Sequence, residues 1–178
     1  MMLQRIVVVL GVLIMNVPQQ VEPAKPFTEM VHVSNTFHFE IPASLSRVAP
    51  LFGPEAERGW AGKDWNPEFL YPWHAKDTQG AVFRIQHGQH SSVWVNTLFD
   101  LSGGRMQYVA FLDELVVTTV DVKLTATDSS HTTVEVTYAR TALQPEANGH
   151  VQALGSSDRE SGPDWQQGIE TCLGIASK

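Results

Sequence analysis

Apolar and polar residues alternate without a break through VHVSNTFHFEI, residues 31–41. Val31, Val33, Asn35, Phe37, Phe39 and Ile41 fall on one side, and His32, Ser34, Thr36, His38 and Glu40 on the other. A period of two belongs to a half-buried β-strand, and Pro42 ends it. In PASLSRVAPLF, Leu45, Val48 and Leu51 take helical spacing behind Ser44, a residue suited to an N-cap. Pro50 and Gly53 keep this helix short, and Pro54 with the acids behind it favours a second short helix.

Strand patterning returns at Gly80. Residues 80–87, 91–100, 104–112, 115–127 and 132–143 read as strands, with a tight hairpin at HGQH and a polar turn at DSSH. Consecutive strands without helices between them predict an antiparallel meander rather than βαβ units. The stretch EANGHVQALGSSDRESG is polar and broken by glycines, so the C-terminal helix reads as short. Its apolar face is Trp165, Ile169, Cys172 and Leu173, behind Pro163. Gly168 weakens it by about 1 kcal/mol relative to Ala.

One segment obeys neither period. ERGWAGKDWNPEFLYPWH, residues 57–74, holds Trp60, Trp65, Trp73, Phe69 and Tyr71, and Pro67 and Pro72 interrupt it. Such a loop either plugs a core or lines a hole. The apolar face of a sheet must be covered, and the C-terminal helix is the sizeable cover this order provides. The expected architecture is therefore α+β. A curved antiparallel sheet of six to seven strands wraps around a C-terminal helix, and two short helices follow the first strand. The tryptophan loop closes one end of the space between sheet and helix.

A length of 178 residues fits one domain, and 43% hydrophobic with 17% charged residues argues against disorder. A net charge of -7 without a basic run gives no electrostatic footprint for nucleic acid or an anionic membrane surface. The one cysteine, Cys172, excludes an intramolecular disulfide and reads as a packing residue. At the N-terminus, Arg5 precedes IVVVLGVLIM, an apolar run of signal-peptide length and too short for a membrane span. Ala24 would end such a peptide, but Glu22 stands where a small neutral residue is wanted. A competing reading makes residues 1–29 an upstream extension and Met30 the opening of one domain, 30–178. The first reading places the protein outside the cytoplasm, the second inside it.

Several phrases together carry a family likeness: FHFEIPASLSRVAPLFGPEAERGWAGKDWNPEFLYP, GAVFRIQHG, SVWVNTLFD, RMQYVAF and TTVEVTYARTAL. This ordered set, over residues 31–178, resembles the START-like (SRPBCC, helix-grip) superfamily, which includes polyketide cyclase-like and Bet v 1-like proteins. The resemblance implies a hydrophobic cavity between a curved sheet and a long C-terminal helix. It also implies several functions: binding of lipids, sterols or polyketides, cyclisation or dehydration, or binding of a protein. The chain departs from the pattern in its glycine-interrupted C-terminal helix.

Among polar candidates, His74, His87 and His90 come first. HGQH lies in a hairpin turn without companion cysteines or carboxylates, so no metal site is expected, and solvated turn histidines compete with a general acid or base. Asp100, Asp113, Glu114 and Asp121 show no spacing that forces a catalytic pair. Ser44, Ser46, Ser91 and Ser92 lack a nucleophile-elbow context. Tyr138 and Arg140 share a face with Val134 and Val136, where Arg140 would need a carboxylate or an anionic ligand. No phosphate loop or dinucleotide fingerprint is present, and no cofactor is expected.

The aromatic residues carry the strongest signal. Trp65, Tyr71, Trp73, Phe83, Trp94 and Tyr108, with Tyr138 and Arg140, are the expected lining of a ligand cavity, with Trp65 and Tyr71 pointing inward at its rim. The leading expectation is binding or carriage of a small hydrophobic ligand. The alternatives are a cyclase- or hydratase-type enzyme using the same cavity, and a stress-related protein-interaction module.

Overall fold

The alternation at residues 31–41 becomes strand β1 (His32–Ile41), with Asn35, Phe37, Phe39 and Ile41 turned into the core. The computed structural model describes residues 29–175. The N-terminal segment read as a signal peptide or an upstream extension lies outside the described residues.

After β1 come α1 (Leu45–Val48), a 3-10 turn (Ala49–Phe52) and a second 3-10 turn (Ala56–Gly59). The proline-limited helices are shorter and tighter than regular α-helices, as Pro50 and Gly53 require. Ser44 stands at the N-cap position of α1 but makes no capping bond; its Oγ meets Ser46 Oγ at 3.1 Å. A short strand β2 (Glu68–Tyr71) precedes the meander, which is β3 (Val82–His87), β4 (His90–Asp100), β5 (Arg105–Leu112), β6 (Val116–Ala126) and β7 (Thr132–Ala142). Every strand pair is antiparallel, and the seven-stranded sheet runs β1-β7-β6-β5-β4-β3-β2.

The structure corrects the sequence reading at two places. Glu68–Tyr71, inside the tryptophan segment, forms β2 and pairs with β3 as an edge strand. It is short and lies between two prolines, so it shows no alternation long enough to read. The polar stretch after Pro145 is also ordered: α2 (Asn148–Glu160) precedes α3 (Gly162–Cys172). Gly155 of α2 and Gly168 of α3 mark close approach, whereas a Cβ on Gly149 would meet nothing. A Cβ on Gly155 would lie 2.8 Å from Val33 Cγ2, and one on Gly168 would lie 2.7 Å from the Trp60 carbonyl oxygen. Packing therefore outweighs helix propensity here.

α2 lies against β1 and β7, and α3 against β1. The main core joins the inner faces of β1, β3, β5, β6 and β7 to Val48 and Phe52 from the short helices and Ile169 from α3. Phe52, Phe83, Ile85, Met106 and Ile169 are fully enclosed, each contributing roughly 1.5–3 kcal/mol by its burial. Cys172, read as a packing residue, is exposed. Among the described residues no helix is long and apolar enough to cross a membrane.

Candidate functional site

The curvature of the sheet leaves space that the helices do not fill. A cavity of about 620 Å³ opens between β4–β7 and α2. Trp94, Ala110, Leu112, Val116 and Thr118 line it from the sheet, and His150 and Leu154 from α2. A second compartment of about 460 Å³ lies between the 56–62 segment and α3, lined by Glu57, Trp60, Asp164 and Trp165 among others. Trp65 and Tyr138 border both.

Four of the eight expected lining residues face these spaces: Trp65, Trp94, Tyr138 and Arg140. Phe83 and Tyr108 lie behind them in the core. The Phe83 ring stacks on Trp94 with centroids 5.9 Å apart, and Trp65 meets Trp94 edge-on at 5.5 Å. Tyr108 donates its hydroxyl hydrogen to the Phe52 carbonyl oxygen and pins the first 3-10 turn to the sheet. Tyr71 and Trp73 do not join the cavity; they are 61% and 86% exposed. The register of β2 against β3 shifts between Phe69 and Tyr71. A bulge of one residue moves the following side chain to the opposite face, so Phe69 packs on Phe83 while Tyr71 points outward.

The sequence question about Trp65 has a local answer. Its indole N–H donates to the Pro54 carbonyl oxygen at 2.9 Å, and Trp60 Nε1 donates to the Leu51 carbonyl oxygen at 2.7 Å. Each tryptophan thus satisfies an orphan carbonyl near the end of a short turn while its ring fills the open end of the sheet.

Arg140 has the carboxylate its position demands. Nε and Nη2 donate to Asp158 of α2 at 2.7 and 2.6 Å, and Nη1 donates to Thr118 Oγ1 at 3.0 Å. The guanidinium also lies 4.6 Å from the centre of the Tyr138 ring. Burial pushes the Tyr138 hydroxyl well above its usual range, against the opposing pull of Arg140.

The histidines part company. His90, exposed at the edge of the first cavity, has Nδ1 2.7 Å from Asp113 Oδ2. His74 is exposed and outside the cavity lining. His87 Nε2 lies 2.8 Å from Ser92 Oγ, which also accepts the indole N–H of Trp94 at 2.7 Å. Burial lowers the His87 pKa from the ordinary histidine value, so this imidazole is neutral at pH 7. His87, His90 and Ser92 all border the first cavity.

Glu57 was missed as a site residue. Read from the sequence it is one of the acids behind Pro54 that favour a short helix; in the structure it is 6% exposed and borders the second compartment. Burial raises its pKa well above the usual carboxylate value, and the Asp77 carboxylate adds to the shift. Asp77 accepts the backbone N–H groups of Glu55 and Ala56 at 2.7 and 3.1 Å, which fixes the turn that carries Glu57. His150 and Leu154 were missed because α2 was missed. Among the described residues no cluster of His, Cys, Asp or Glu could hold a metal ion.

No family model and no curated protein sequence matches the chain. Solved structures do match its fold. Norcoclaurine synthase from Thalictrum flavum is 12% identical with a TM-score of 0.63, covering 89% of this chain and 99% of that one. The same enzyme in complex with dopamine and hydroxybenzaldehyde aligns at 14% identity with a TM-score of 0.62 over 98% of this chain and 100% of that one. An uncharacterised protein from Rhizobium leguminosarum is 15% identical with a TM-score of 0.58, over 80% of this chain and 97% of that one. The architecture is the helix-grip fold, a curved seven-stranded antiparallel sheet with C-terminal helices and short helices after the first strand. At such identities the likeness is one of fold, and a fold does not choose an activity.

Proposed function

We propose that the protein binds and carries a small hydrophobic ligand, lipid-, sterol- or polyketide-like, in the first compartment. The observation that carries this reading is a cavity of about 620 Å³ walled by Trp65, Trp94, Leu112, Leu115, Val116 and Leu154. His87, His90, Ser92, Thr118 and His150 add polar groups to a mainly apolar lining surface, and Arg140 is already neutralised by Asp158. Concave, apolar sites with a few fixed polar handles are the usual form of small-molecule pockets. The test is incubation with cell lipid extract, repurification and mass spectrometry. A bound lipid, displaced in the cavity-filling variant Leu154→Trp, is expected; protein that stays empty across several extracts overturns the reading.

A second reading is an enzyme of cyclase or hydratase type in the same space. The contact between His87 and Ser92 favours it, because a neutral imidazole bordering a cavity can accept a proton from a bound substrate. In this reading His87→Ala abolishes turnover while leaving ligand binding intact, and unchanged turnover rejects it. A protein-interaction role draws on a different surface, where Leu70, Tyr71 and Trp73 are exposed side by side in the chain.

A further inference from the structure

We propose that the second compartment is a binding site for an organic cation, an alkyl- or arylammonium group held between the carboxylate of Glu57 and the indoles of Trp60, Trp65 and Trp165. This inference does not depend on the first compartment holding an apolar ligand.

Glu57 is 6% exposed and borders the compartment, yet among the described residues no side chain or backbone donor bonds its carboxyl. Buried carboxyls are ordinarily paired, so a carboxyl left open towards a cavity has its partner position free. The backbone holds it there. Glu57 N donates to the Gly53 carbonyl oxygen at 2.8 Å, and its own carbonyl accepts the N–H groups of Trp60 and Ala61 at 3.0 and 2.8 Å. With Asp77 capping the same turn, the side chain cannot leave without unfolding it.

The walls favour a positive charge. Trp60 and Trp165 both line the compartment and meet edge to face with centroids 5.1 Å apart, so neither ring is stacked flat on the other. Indole faces in a desolvated site attract cations, ammonium groups especially. Asp164 borders the compartment, whereas no lysine or arginine does. Nearby guanidinium groups are engaged elsewhere. Arg58 donates to Glu55, Asn66 and the Pro67 carbonyl oxygen, and Arg140 to Asp158 and Thr118. An anion would meet Glu57, Asp164 and, beyond the turn, Asp77 without compensation. A cation supplies the missing partner of Glu57.

The electrostatics give this site a pH signature. Burial and Asp77 keep the free carboxyl protonated above the ordinary carboxylate range; the other ionisable groups facing this region are Asp164 on α3 and the hydroxyls of Tyr108 and Tyr138, which stay neutral. A cation binds the ionised form, so its binding expels a proton and its affinity rises with pH, by up to about tenfold per unit, until Glu57 is ionised in the free protein.

The experiment is titration calorimetry of the full chain with choline and with its uncharged isostere, 3,3-dimethylbutanol, across a pH series. Choline is permanently charged, so any pH dependence belongs to the protein. The expected result is a preference for choline of about tenfold or more that grows with pH. Glu57→Gln should abolish both the preference and the pH dependence, with a thermal midpoint at or above that of the unaltered protein to establish that it is folded. Equal binding of the two probes, tighter binding of the isostere, no binding of choline, or a Glu57→Gln variant that keeps the preference each overturns the proposal.

Discussion

Removing the carboxylate of Asp158 tests whether one ion pair holds α2 over the cavity. α2 presents little apolar surface to the sheet: its buried residues are Val151, Gly155 and Asp158. The fork between Asp158 and Arg140, whose side chains are 5% and 15% exposed, is the charged part of the attachment, beside the bonds of Arg159 to Asn35 and of Val31 N–H to Asn148. Asp158→Ala leaves a guanidinium in the cavity wall with the Thr118 hydroxyl and the Tyr138 ring beside it but no carboxylate. Breaking a buried pair from one side costs about 3–5 kcal/mol, because the surviving charge stays desolvated. Arg140 also borders the cavity, so solvent entering there eases the penalty and the lower end of that range is expected. Urea denaturation with unchanged slope gives the stability difference. The double variant Arg140→Met/Asp158→Leu should recover most of the loss, since replacing both partners by apolar groups is often neutral. The uncompensated guanidinium should also tighten binding of an anionic apolar dye relative to a neutral one. A loss below about 1 kcal/mol for Asp158→Ala would place the pair among solvated surface contacts and refute the reasoning.

Other consequences can be measured separately. Glu57 binds a proton more tightly folded than unfolded, so between its unfolded value near 4.5 and its raised folded value stability falls as pH rises, by roughly 1.4 kcal/mol per pH unit; Glu57→Gln should remove this slope in melts from pH 4 upwards (an order-of-magnitude window), and parallel curves would reject it. Gly168→Ala should lower the thermal midpoint despite better helix propensity, because the new Cβ would lie 2.7 Å from a backbone oxygen; a raised midpoint would mean that α3 moves freely. Trp65→Ala should merge the two compartments, lowering both the midpoint and the affinity for an apolar fluorescent probe; a lowered midpoint with unchanged affinity would make Trp65 a packing residue only. Tyr71→Ala and Trp73→Ala, being exposed, should change stability by less than about 0.5 kcal/mol, as thermal melts will read.

How much of this was legible follows from the length of each pattern. β1 and β3 to β7 are long enough for alternation or β-branched runs to declare them, and their order alone implied a sheet needing a cover. β2 failed that test: Glu68–Tyr71 is four residues beside prolines, and its bulge sends Phe69 inward and Tyr71 outward. α2 failed for a different reason. Its polarity is real, but Gly155 allows contact with Val33, and Asp158 and Arg159 bond Arg140 and Asn35 on the sheet. Helices attached by polar bonds and close backbone approach leave no apolar stripe to read.

The cavity shows the same division between what a pattern can and cannot carry. Trp65, Trp94, Tyr138 and Arg140 were legible because large aromatic residues and an inward-facing cation favour enclosure, but Tyr71 and Trp73, 61% and 86% exposed, show that the same signal does not say which aromatic is enclosed. Glu57 looked like any acid in a short turn, because its role depends on one local placement and two distant ones. Pro54 and Gly53 set the turn, Asp77 arrives from 20 residues away to cap it (77 minus 57), and α3 closes over it with Trp165. No local window contains all three. A carboxyl enclosed in this way is destabilising while charged and unpaired, and the fold retains it at the border that Trp65 and Tyr138 share with the larger cavity. Whatever enters either compartment therefore touches the rings that wall the other, and occupancy of one should alter the fluorescence and the affinity of the second through those two side chains. Independent filling of both by choline and an apolar dye, with no mutual effect on affinity, would show that Trp65 and Tyr138 act as a rigid partition.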